Sequence, residues 1–262
     1  MSAKTSIEWT TTVHPDGTVT PGSTWNPVSG CSKVSPGCTG CYAEALSTRF
    51  GWTTLPWTAR NAAENVRLHP DRLDLPLRWR EPRRIFANSM SDLFHEQVPF
   101  EFIQSVFEVM DKADRHTFLV LTKRPERMRD VLVRLYERSY LDQYEPLPNV
   151  WIGVSAEDQR RADERLPLLL DTPAAIRWVS AEPLLGPLDL MEWLPGLDWV
   201  VGGGESGANF RPCDPAWLRS LRNQCLATGT AFFCKQGAAR LPGRPTGDPD
   251  LDGCKEFPEV MA

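Results

Sequence analysis

From residue 84 onward the chain alternates between two hydrophobic rhythms. Short, nearly continuous apolar runs occur at 84–88, 117–122, 150–154, 176–179, 199–201 and 231–234. Between them, apolar residues recur at helical spacing. Phe102, Ile103, Val106, Phe107, Val109 and Met110 predict a helix over 100–113. Further helices are predicted over 126–136, after 155–158 through about 169, and over 215–227. Pro125 stands at the first turn of one of them, where its missing N–H costs nothing. Runs without a polar face belong to strands buried on both sides, so six such strands separated by helices predict a parallel sheet in an α/β fold. Each run ends in polar or charged residues: Ser89 and Asp92, Lys123 and Arg124, Ser155 and Glu157, Glu182, Glu205, and Lys235 with Gln236. In a β/α barrel these ends share one rim, where ligands bind. A doubly wound sheet has the same property, so periodicity does not separate the two. With a short strand expected ahead of residue 31, the expectation is a partial or complete TIM-type β/α barrel of parallel strands.

The first 83 residues are patterned differently. Residues 1–23 read as an irregular lead-in with a short strand at 7–9 and a turn at 14–18. A short helix is expected over 42–50 and another around 60–68. The tail, 237–262, is rich in Pro, Gly and Asp and reads as coil. No repeat or linker interrupts the chain, which is expected to form a single domain over 1–262.

Between lead-in and helix lie three of the seven cysteines, Cys31, Cys38 and Cys41, spaced Cys-x6-Cys-x2-Cys. Gly30, Pro36, Gly37 and Gly40 allow tight folding around them. Thiolates this close repel unless a soft cation sits among them. A structural zinc site needs a fourth protein ligand, whereas an iron–sulfur cubane on three cysteines leaves one iron for a small molecule. His14, His69, His95 and His116 are scattered and form no zinc-motif pair. Spacing leaves zinc, the cluster and unliganded thiols open. Cys213, Cys225, Cys234 and Cys254 have no motif spacing; Cys225 and Cys234 read as small buried hydrophobes.

Composition narrows the classes. With 29 Lys+Arg against 34 Asp+Glu, the net charge of -5 argues against non-specific coating of nucleic acid but permits a local basic cleft. Arg78, Arg80, Arg83 and Arg84 around Trp79 are a candidate nucleic-acid contact, or an exposed basic connection. No apolar run approaches membrane-spanning length and no signal core opens the chain, so a reducing cytoplasm is expected. Residues 202–207 lack the Gly-Lys-Ser/Thr ending of a phosphate loop, and Ala208 breaks a nucleophile elbow. What remains is a strand end where the backbone at Gly203 approaches a ligand or makes a tight turn, with Glu205 over it. Lys123 and Arg124 suit an anion, Glu182 a ribose or amine, and Asp92 an ammonium group or a turn cap.

Several blocks taken jointly carry a family resemblance: Ile7-Glu-Trp-Thr10, the stretch from Thr24-Trp-Asn-Pro27 to Cys41-Tyr-Ala-Glu44, and Asn88-Ser-Met-Ser-Asp-Leu-Phe-His95. Leu121-Thr-Lys-Arg-Pro-Glu126, Trp151-Ile-Gly-Val-Ser155, Ser180-Ala-Glu-Pro-Leu184, Gly203-Gly-Glu-Ser-Gly207 and 232–236 continue it. The chain resembles a phage-associated family of uncharacterised three-cysteine proteins related to the radical S-adenosylmethionine (SAM) enzymes. It departs from the usual radical SAM spacing in the first gap, six residues in place of three, and has Gly237 where a Trp is expected. The resemblance implies a radical-SAM-like barrel with a 4Fe-4S cluster on Cys31, Cys38 and Cys41. SAM and an electron donor are implied with it. Ser89, Ser91 and Asp92 would meet the methionine end of SAM, and Ser155 and Glu157 its ribose. Arg124 and Gly203 complete the expected cofactor-binding set. Lys123, Glu182, Glu205 and Lys235 are the expected catalytic residues, with Gln236 beside them. The expected function is a SAM-dependent radical reaction on a nucleic acid, either repair of a DNA lesion or modification of a base. A zinc-stabilised nucleic-acid-binding or adaptor protein without turnover is the alternative, and a partner protein belongs to either reading. A metal-dependent hydrolase is disfavoured because no His/Asp metal pair is visible.

Overall fold

The computed structural model describes residues 5–13, 18–137 and 145–259. The turn expected at 14–18 therefore falls, except for Thr18, outside the described residues, as do 1–4 of the lead-in and 260–262 of the tail.

Seven strands form the main sheet: β1 (Ser23–Trp25), β2 (Arg84–Ala87), β3 (Thr117–Thr122), β4 (Val150–Ser155), β5 (Ile176–Ala181), β6 (Trp199–Gly203) and β7 (Ala231–Gln236). They neighbour one another in chain order, β1 through β7. No reversal of order occurs, so the switch point that defines a doubly wound sheet is absent from this row. The order is that of a β/α-barrel wall, and it is open, since β1 and β7 end it. Five helices accompany the strands: α1 (Tyr42–Arg49), α2 (Phe100–Lys112), α3 (Pro125–Glu137), α4 (Gln159–Leu170) and α5 (Pro215–Thr228). All six long strands and all of these helices stand where the periodicity predicts them.

The chain divides into two compact units. The first comprises 1–34, 41–152 and 172–175, and the second 35–40, 153–171 and 176–262, with β4 contributing to both. In the first unit, β1 pairs in parallel with β2 and β2 with β3. The apolar stripe of α2 (Phe102, Ile103, Val106, Phe107, Met110) and Met128, Leu132 and Leu135 of α3 are buried, as are Ile85, Phe118, Leu119 and Val120 of the strands. The expected strand at 7–9 is instead a 3-10 turn, Glu8–Thr10. Thr10 N–H is spent on Ile7 O, and Trp9 packs edge-on against Phe86 at 4.8 Å. The strand beside β2 is therefore Ser23–Trp25, whose Trp25 indole N–H donates to Arg72 O at 2.8 Å. The helix expected at 60–68 stops at Asn65, because Arg67–Leu68 pairs antiparallel with Val28–Ser29.

In the second unit, β5 pairs in parallel with β6 and β6 with β7. Trp178 and Trp199 meet at 5.5 Å, and Phe257 of the tail packs on Trp199 at 5.4 Å. Gly153 has no alternative here, since a Cβ would sit 2.5 Å from the Trp178 ring. The Asp158 and Asp214 side chains cap α4 and α5, accepting from Arg161 N and Ala216 N. The tail is more ordered than a coil. Phe233 and Lys255 form an antiparallel bridge, Cys234 N donates to Cys254 O, and Glu256 N to Phe232 O. This covers the edge of β7, which would otherwise present unpaired backbone groups. No helix among the described residues is long and apolar enough to cross a membrane.

Candidate functional site

In the first unit the strand ends converge on Arg124, which follows β3 and is 7% exposed. Its guanidinium reaches four residues: Cys31 Sγ at 3.5 Å, Asp92 Oδ2 at 3.1 Å, Glu96 Oε1 at 3.1 Å and Oε2 at 3.3 Å, and Ser32 O and Oγ at 3.0 Å each. Burial alone would lower the Arg124 pKa, but Asp92, Cys31 and Glu96 around it hold it above its ordinary range. A cation fixed beside a thiol favours the thiolate. Asp92, read from sequence as an ammonium receptor or a turn cap, is saturated internally. Oδ1 accepts from Thr122 Oγ1 and Phe94 N, while Oδ2 accepts from Lys123 N as well as Arg124. Lys123 itself is half-buried. His95 lies beneath this network, 1% exposed. Its Nδ1 accepts from Gln97 N–H, so Nε2 carries the proton and donates to Ser32 Oγ at 2.8 Å. Ser89 and Ser91 tie β2's end to the segment after β1. Ser89 Oγ meets the Asn26 amide at 3.2 Å, and Ser91 Oγ donates to Val28 O at 2.9 Å.

In the second unit two carboxylates hold the middle of the cysteine segment. Glu157, fully buried after β4, accepts from Gly37 N at 3.0 Å and pairs with Arg165 of α4 at 2.9 Å. Arg165 also donates to Ser155 O at 2.7 Å, which is where Ser155 enters the site. Glu205, after β6, takes a bidentate pair with Arg211 at 2.6 and 2.8 Å plus the Arg211 backbone N–H. These bonds to Arg211 hold the Glu205 carboxyl below the usual range despite its burial. Arg211 extends the chain of contacts to Pro36 O at 3.0 Å. A Cβ at Gly37 would lie 2.9 Å from Glu157 Cδ, and one at Gly40 2.7 Å from Glu205 Oε1. The two glycines are thus fixed by the close approach of carboxylates. Farther along, Lys235 Nζ grips both Glu182 oxygens at 2.6 and 2.7 Å, with Gln236 Nε2 donating to Gly204 O. Gly203 contacts the chain's own backbone, its O accepting from Leu184 N.

Each unit thus gathers its share of the expected residues. Arg165, Arg211, Ser32, His95 and Glu96 were not expected in these roles. Arg165 carried a signal, since it interrupts the buried stripe Ala162, Leu166, Leu169 of α4 at the i+3 position. Arg211 carried none, lying in a loop. The basic array around Trp79 divides: Arg83 covers the Trp79 ring at 5.0 Å, and Arg84 donates to Thr11 O and lies over Trp151 at 5.3 Å. Arg84's pKa falls to about 10 through burial. Arg78 pairs with Asp74, and Arg78 and Arg80 are both exposed.

None of the seven cysteines forms a disulfide. Cys31, Cys38 and Cys41 are each half-exposed, whereas Cys225 and Cys234 are buried as expected, with burial raising both thiols to about 12. Among the described residues, no three or more His, Cys, Asp and Glu side chains stand gathered as a ready-made metal group. The donor chemistry nonetheless fits a soft metal: three thiols outside disulfides on one segment, the first beside a buried guanidinium.

A family model described as a protein of unknown function, DUF5131, matches residues 4–245. No curated protein and no solved structure matches the chain.

Proposed function

The chain belongs to the DUF5131 family, and for it we propose a radical-SAM-type iron–sulfur enzyme. One observation carries this reading. The three-cysteine segment joins the first strand of a sequentially ordered parallel sheet to the first helix, and polar side chains at strand ends hold it by named hydrogen bonds. Cys31, Cys38 and Cys41 would hold the cluster. A reduced cluster held there, with an external electron donor, would supply one-electron reductive cleavage of SAM. The chain's own contribution is positioning and charge. Arg124 stabilises the Cys31 thiolate, and Glu157 and Glu205 with Arg211 fix the segment that carries Cys38. Lys235 and Glu182 form a half-buried pair whose partners are available to a molecule that breaks it. A nucleic acid is the proposed substrate class. The test is SAM cleavage by anaerobically reconstituted protein under dithionite. Formation of 5′-deoxyadenosine, lost in Cys38→Ala, is expected; no cleavage by a fully clustered sample would refute the reading.

A second reading, a zinc-stabilised binding or adaptor protein without turnover, is favoured by a different observation. Asp92, Glu157, Glu182 and Glu205 are all paired with a cation of the same chain, as structural residues would be. It requires that the zinc-loaded protein be the functional form and that partner binding survive Glu205→Ala.

A further inference from the structure

Just past α1 the first unit carries an exposed aromatic pair. Phe50 and Trp52 are 56% and 54% exposed, and their rings stack at 5.1 Å with an interplanar angle of 26°. Gly51 between them has φ +66°, a conformation glycine adopts without strain, and this turn brings the two side chains together. The pair is preorganised: Gly51 N donates to Thr48 O and Trp52 N to Ser47 O. Five residues on, Trp57 is 2% exposed and its indole N–H donates to Thr53 Oγ1. The segment therefore buries one tryptophan as its anchor and leaves the other outside. The Arg49 guanidinium lies 5.7 Å from the centre of the Phe50 ring. From residue 45 to 63 the chain has Arg49 and Arg60 and no carboxylate, in a protein whose net charge is -5.

We propose that Phe50 and Trp52, with Arg49, form a stacking platform for the bases of a single-stranded nucleic acid. Two near-parallel rings are extended by a third planar group at little ordering cost, and every base offers such a face. The arginine suits a phosphate backbone. Two side chains are far less surface than the roughly 800 Å² per partner of a stable protein interface, which favours a base over a protein. The eight residues of α1 place the platform about 12 Å along the helix from Cys41. The inference deepens the proposed function by giving its substrate a docking point, and it rests on that reading for the chemistry but not for the binding.

The test uses the full chain without SAM or reductant, and fluorescein-labelled oligo(dT) of about a dozen nucleotides followed by anisotropy at low salt. Binding is expected to weaken about tenfold in Trp52→Ala and in Phe50→Ala, and to recover in Trp52→Phe. In Arg49→Ala the slope of log affinity against log salt should shrink by about 0.7. Absence of binding, or equal affinity in the Phe50→Ala/Trp52→Ala double variant, overturns the proposal. So does self-association of the wild-type chain that sedimentation shows to be lost in Trp52→Ala, since a second copy would then be the occupant. SAM cleavage without nucleic acid should be unchanged in Trp52→Ala. Loss of binding with cleavage intact in that variant supports the platform, whereas failure of cleavage with binding intact in the wild type removes the enzyme reading alone.

Discussion

Gly37 and Gly40 show how a single missing Cβ fixes a site. Each faces a carboxylate too closely for any side chain, so a methyl group there must displace Glu157 or Glu205, or lift the segment between Cys31 and Cys41. Gly40→Ala is expected to fold and to lose most of its capacity to take up iron and sulfide, read by metal analysis after reconstitution. Arg165 makes a complementary case. It is the ion-pair partner of a carboxylate with no exposure to solvent. Arg165→Met should therefore cost about 3–5 kcal/mol in urea unfolding, because it strands a buried charge. Replacing both members, Glu157→Gln with Arg165→Met, should recover much of that loss. If the single variant is as stable as the parent, the pair has been misjudged.

At the scale of elements, α5 is closed at both ends by local chemistry: Asp214 caps its N-terminus, and Gly229 ends it at φ +75°. Gly229→Ala should cost about 1 kcal/mol, visible as a lower urea midpoint with unchanged slope. Elements of this kind were legible in the sequence because burial writes itself as continuous apolar runs and three-to-four spacing. β1 was not. It has three residues, one of them a buried serine, and it is a strand only because β2 lies beside it. The tail was misread for a similar reason, since its pairing with β7 is a long-range match that Pro, Gly and Asp content does not reveal. In the site, the acidic residues at strand ends could be named from position. That they would grip glycine N–H groups and arginines could not, because Arg211 reaches Pro36 across 175 positions.

For the whole molecule, the buried histidines set an acid limit. Burial, followed by the charge of Arg124, lowers the His95 pKa, and burial lowers that of His116. Below about pH 6.5 the unfolded chain then takes up protons that the folded chain refuses, so stability is full above that pH and declines as pH falls through the lower folded values. The urea midpoint should drop between pH 7.5 and 5.5, and drop less in His95→Gln. Glu205, held low, loses its contribution only at more acidic pH, below the carboxylate range, so the two effects are separable. The proposed function itself turns on what the three cysteines hold. The decisive measurement is iron, sulfide and zinc content after anaerobic purification and reconstitution, on the wild-type chain and on Cys38→Ala. A brown protein with about four iron and four sulfide per chain, lost in the variant, is the predicted result. A colourless protein that keeps one zinc and takes up neither iron nor sulfide would contradict it.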